Sequence, residues 1–194
     1  MVFMPVLRRF LEGRLKGAMP KLVLSVYNGR IPKGNKLKRR VVNLLVDNPP
    51  ADLVIALTDV YTGTVPPEFT DAKAAKTQMR EWVGPEPRFS PHAAQHDFEA
   101  WLLPFWPRIK ELAKHNQNSP AANPETVNHN KPPAYRLIEL FEAGKCNHSY
   151  VKNRDAQAIL RGQDLMVSIN EWSELKAFVN TVLTACAGAQ AAIP

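Results

Sequence analysis

Apolar residues along the chain recur with two different periods, and the switches between them predict most of its elements. Phe3, Val6, Leu7, Phe10, Leu11 and Leu15 repeat at helical spacing with Pro5 in the first turn, which predicts a helix from about the third residue. Residues 21–27 read as a strand, followed by a loop over 28–34 and a basic helix over about 35–46. Residues 52–58 form a continuous apolar run of the kind buried on both faces of a parallel sheet, with Asp59 at its carboxyl end. A helix is expected over 68–83, a short strand over 88–95, and then a helix whose stripe is Phe98, Trp101, Leu102 and Phe105. Shorter helices are expected near 107–115, 134–142 and 153–161. The last one, over 171–186, has Asn170 as its cap and Trp172, Leu175, Val179, Val182, Leu183 and Cys186 as its buried stripe. Residues 187–194 read as a frayed tail.

Helix and strand thus alternate through the first half, which argues for an α/β fold with a mostly parallel sheet flanked by helices, followed by a helical C-terminal region. The expected organisation is a core over 1–115, a mobile loop over 116–133 rich in Asn, Pro, Ser and Thr, and helices over 134–194 packed on the core. In such sheets ligands collect beyond the carboxyl ends of the strands. Asp59 and the segment from His96 to Glu99 both fall there.

Charge changes the picture only locally. The chain of 194 residues carries a formal charge of +7, yet its first 40 residues hold eleven Lys or Arg against Glu12 alone, and the remainder is slightly acidic. Such an arm suits a polyanion, either nucleic acid or an acidic protein surface, or it is simply a solvated helix face and loop. Cys146 and Cys186 have neither metal-ligand spacing nor the density of a secreted scaffold, so free thiols are expected. With no apolar run of roughly 18 residues and charges at Arg8, Arg9 and Glu12, the chain reads as a cytoplasmic protein without a membrane span.

The candidate chemistry is sparse. Asp59, held at the end of a strand, either binds a hard divalent cation such as magnesium or caps the turn that follows. Glu99 is an acid within an apolar helix and needs a cation or a hydrogen-bond donor if buried, and His96, one turn away, is the expected donor. The alternative is that His96, Asp97 and Glu99 only serve a helix amino terminus, where Asp97 is a cap. Lys38, Arg39 and Arg40 on the basic helix, Lys131 with Arg136 after the loop, and Tyr150 with Lys152 and Arg154 are groups able to meet phosphates. His92, His115, His129 and His148 share no zinc spacing, and neither a Gly-rich phosphate loop nor a serine or cysteine nucleophile motif is present.

Residues 52–61, the segment Pro91-His-Ala-Ala-Gln-His-Asp-Phe-Glu-Ala-Trp-Leu-Leu103, and Lys131-Pro with Arg136-Leu137 together resemble the family catalogued as domain of unknown function 4276, regarded as Toprim-like. The resemblance spans roughly residues 1–185. It implies a magnesium-dependent nuclease or phosphotransfer domain acting on nucleic acid, in company with an ATPase in bacterial defence. Asp59 matches the first of two aspartates that hold the ion in Toprim domains, while Tyr61 stands where the second belongs. The Glu-Gly motif and first strand that precede the first helix in that pattern have no counterpart, because the predicted helix begins near Met1; either the start is assigned too late or part of the site is lost. A sheet lacking that strand is open to pairing with another chain, as a homo-oligomer or with a different subunit. The rival expectation is a catalytically silent subunit that docks on an ATPase or another acidic partner through residues 1–40, or a nucleic-acid binder without catalysis.

Overall fold

The computed structural model describes residues 3–15, 19–27, 31–61, 67–120 and 131–194. In chain order the helices and strands are α1 (Met4–Arg14), α2 (Asn35–Val46), β1 (Val54–Asp59), α3 (Ala72–Val83), β2 (Phe89–Ala94), α4 (Trp106–Ala113), α5 (Pro133–Ala143), α6 (Lys152–Leu160), α7 (Leu165–Glu171) and α8 (Ser173–Ala187). Phe98–Phe105 and Ala189–Ala191 are 3₁₀ segments. The protein is α/β, with a small parallel two-stranded sheet flanked by helices and a helical C-terminal region. The chain forms two compact units, one of Met1–Leu22 with His96–Pro194 and one of Val23–Gln95. The helices on either side of 116–133 lie in the same unit.

In the Val23–Gln95 unit, β1 and β2 run parallel in the register Val54↔Phe89 to Asp59↔Ala94. Leu37, Val41 and Leu45 from α2 and Ala75, Met79 and Val83 from α3 close over Val54, Ala56, Phe89 and Ala93. Helix α3 begins at Ala72 because the Asp71 side chain accepts from the Ala74 amide at 2.7 Å, shortening the helix expected from 68. The β1 run is not buried on both faces: its residues alternate between buried and half-buried, as a sheet with helices over one face requires.

The strand expected over 21–27 does not form. Among the described residues the only ladder is β1 with β2, and Val23, Leu24 and Val26 stand 72%, 46% and 65% exposed. Strand propensity was present there, but an extended segment becomes a strand only when a neighbour accepts its hydrogen bonds.

The other unit is organised around Phe98–Phe105, which is a 3₁₀ rather than an α-helix. Pro104 lies inside it and has no amide to donate to an i−4 carbonyl, which disfavours the α form. Ala100, Trp101 and Leu102 are almost wholly buried, and the segment packs against α4, α5, α6 and α7. Phe3 meets Trp101 at 5.4 Å between ring centroids, and Phe178 stacks on Trp101 at 6.3 Å. Truncating a buried aromatic of this kind costs about 3–5 kcal/mol. Gly144 is obligatory for a steric reason: a Cβ there would lie 1.9 Å from the carbonyl oxygen of Ala113.

Two further differences lie near the C-terminus. Asn170 is inside α7 rather than capping the last helix, which starts after Trp172, so the apolar stripe is interrupted by a one-residue break. Cys186 is exposed, outside the buried stripe. The tail is not frayed: Asn180 donates from Nδ2 to the Ile193 carbonyl at 3.0 Å and accepts the Ile193 amide at 2.8 Å, burying Ile193. Among the described residues no helix is long and apolar enough to cross a membrane.

Candidate functional site

Helix α2 buries one side and charges the other. Leu37, Val41 and Leu45 face the core, while Lys36, Lys38, Arg39 and Arg40 are exposed within its first two turns. Spacing puts Lys36, Arg39, Arg40 and Asn43 on one strip, whereas Lys38, two residues from Lys36, projects from a different side beside the buried stripe. The first turn holds no acid, so these cations oppose the positive end of the helix dipole and one another, at about 0.2–0.5 kcal/mol for each close pair. Among the described residues none of the four pairs with a carboxylate; Arg40 donates to the neutral Ser25 hydroxyl at 2.7 Å. Lys33, just before the helix, is neutralised by Glu68. Lys76 and Arg80 on α3 add to the positive field: after burial itself, they are what push His92 down to about 4.

In the other unit Glu99 is 2% exposed and carries a donor on each oxygen. The Tyr150 hydroxyl donates to Oε1 at 3.3 Å, and Lys152 Nζ meets Oε2 at 3.0 Å while lying 5.1 Å above the Phe98 ring. Burial first, and then the Glu99 carboxylate, raise the Tyr150 phenol above its ordinary value, so it remains a donor. Nearby, Asp155 is held by its own helix start and by Arg154, with Oδ2 accepting the Val151 amide at 2.6 Å. Burial works to raise Asp155, but these hydrogen bonds outweigh it and keep the carboxyl below the usual range.

His96 is not the donor to Glu99. It is buried with φ of 76°, a left-handed conformation uncommon outside glycine, and it precedes the 3₁₀ segment instead of sharing a helical flank with Glu99. Asp97 is the cap: its Oδ1 accepts the Ala100 amide at 3.2 Å, and its Oδ2 accepts the Ala134 amide at the start of α5 at 3.1 Å. Asp59 ends β1, half-buried, in the Val23–Gln95 unit. Lys131 is paired with Glu139 at 2.8 Å. Among the described residues no three His, Cys, Asp or Glu side chains gather to hold a metal, and at Glu99 an ammonium already balances the charge. A divalent ion there would have to displace Lys152.

A family model described as Domain of unknown function (DUF4276) matches residues 3–183, nearly the whole described chain. The chain belongs to the DUF4276 family. Comparison with curated proteins and with solved structures gave no match. The DUF4276 match takes in both the basic face of α2 and the Glu99 cluster. Of the groups that matter in these two places, Lys38, Arg39 and Arg40 were legible from local charge, and Tyr150 and Lys152 from their basic and aromatic character. Lys36 belongs with them and follows from the same helical spacing. The pairing of Glu99 with residues more than fifty positions away had no signal in the sequence.

Proposed function

We propose that this DUF4276 protein binds nucleic acid through the phosphate backbone, with the amino-terminal half of α2 as the contact. The observation that carries this reading is the set of exposed cations Lys36, Lys38, Arg39 and Arg40, placed at the helix end where cations are least stable and, among the described residues, without carboxylate partners. Phosphates relieve that cost by supplying the missing counter-charge and by meeting a positive helix end. The test is fluorescence anisotropy with labelled single- and double-stranded DNA and RNA. Binding that weakens at least about tenfold in a variant with all four cations changed to Gln supports the reading. Binding that is unchanged in that variant removes it.

A second reading, favoured by the position of Asp59 at the carboxyl end of β1 and by the Toprim resemblance, is magnesium-dependent phosphodiester cleavage with Asp59 as the residue that meets the ion. Incubation of nucleic acid with the protein and magnesium tests it. Cleavage abolished in Asp59→Ala supports this reading, and cleavage that persists in Asp59→Ala ends it.

A further inference from the structure

A cavity of about 350 Å³ lies between α1 and the residues that enter α7, within a single unit and remote in sequence from α2. Its walls are apolar where Phe10 and Met166 face it, and two guanidinium groups, those of Arg9 and Arg14, stand at it. Neither guanidinium is spent on a carboxylate among the described residues. Arg9 Nη2 donates to the Gln163 carbonyl at 2.7 Å, and Arg14 Nη2 rests 3.3 Å from the Met166 sulfur with its Cζ 5.4 Å above the Phe10 ring.

A thioether is a weak acceptor, whereas the planar fork of an arginine matches the oxygens of a phosphate. Arg14 is therefore held in place by stacking on Phe10 rather than by its hydrogen bond, and its donors can be transferred to an anion at small cost. Asp164 also lines the cavity, with Oδ1 accepting the Met166 amide at 2.9 Å, so the local charge is one net positive. One carboxylate against two guanidinium groups restricts the occupant to an anion whose charge sits at the arginine side. The volume is within the usual range for small-molecule sites, and the planar guanidinium of Arg14 lying over Phe10 is a surface on which a flat body attached to that charge can stack.

We propose that this cavity binds a phosphate monoester on a flat aromatic body, either a free mononucleotide or the phosphorylated end of a strand. The inference does not rest on the α2 reading, because none of its residues lies on that helix. The two sources are separated as follows. For the free nucleotide, AMP, adenosine and inorganic phosphate are titrated into the full chain and followed by thermal shift and calorimetry. For the strand end, a 5′-phosphorylated oligonucleotide is compared with its unphosphorylated form, using the chain whose four α2 cations are Gln so that backbone binding is suppressed.

The expected result is that AMP, or the 5′-phosphorylated strand, binds while its unphosphorylated counterpart binds about tenfold or more weakly, and that Arg9→Gln and Arg14→Gln each lose about tenfold. Arg14→Lys, which keeps the charge but not the fork, should lose affinity while keeping the wild-type melting temperature. Three results overturn the proposal: no binding by either source, binding unchanged in the arginine variants, or inorganic phosphate binding as well as AMP and the phosphorylated strand.

Discussion

Lys152→Met is the most informative single change to the Glu99 cluster, because it removes the ammonium and keeps an apolar stem over Phe98. Stripping the partner from a fully buried ion pair costs about 3–5 kcal/mol, and an exposed pair is worth about 0–1 kcal/mol. Here the Glu99 side chain is 3% exposed and that of Lys152 49%, so water screens one partner only, and the cost falls between these limits at about 2 kcal/mol. In a chain of this size that lowers the melting temperature by about 4–8 °C. Thermal and denaturant unfolding followed by circular dichroism measure it. Glu99→Gln added to Lys152→Met removes the stranded charge, so the double variant should melt no lower than Lys152→Met alone. Strict additivity of the two single effects, or a shift under about 1 °C for Lys152→Met, would show that the ammonium does not balance Glu99.

Other expectations follow from particular contacts. His92 has a folded value lowered from 6.5 to about 4, so its contribution is present above pH 6.5 and is lost as the pH falls toward 4; it amounts to about 3 kcal/mol at most. His92→Gln should flatten denaturation midpoints across that window. Tyr150, raised in the folded state, contributes in the opposite sense: its stabilisation holds below about pH 10 and is lost above it, and Tyr150→Phe should remove that alkaline loss. Gly144→Ala forces a Cβ onto the Ala113 carbonyl and should cost about 2 kcal/mol or more, visible as reduced urea midpoint at unchanged slope. Asp71→Ala removes the α3 cap and should cost about 1 kcal/mol.

The helices were legible where their apolar stripe is local: α2 and α3 bury the residues that the 3.6 period selects, α8 does so except at Cys186, and the ends of β1 and β2 fall within two residues of those of the segments 52–58 and 88–95. Two kinds of information were not local. Whether residues 21–27 pair depends on a neighbouring strand, which no pattern within seven residues encodes. The 3₁₀ form of Phe98–Phe105 was hidden by a stripe that an α-helix would share, although Pro104 was the visible warning. The same division holds for the candidate sites. The cations of α2 are adjacent in sequence and could be found, while the donors to Glu99 come from Tyr150 and Lys152, brought there by packing of α6 against the 3₁₀ segment. Burial of Glu99 was expected to require a donor, and it does; the chemistry was right and the partner was not His96.

The claim that α2 engages phosphates is tested most directly by the salt dependence of duplex binding. Affinity is measured by anisotropy from low to physiological salt, for the wild type and for the variant with Lys36, Lys38, Arg39 and Arg40 changed to Gln. Each phosphate neutralised contributes about −0.9 to the slope of log K against log salt, so the variant, which loses four cations, should be shallower by up to about 3.6. Equal slopes for the two proteins would contradict the account.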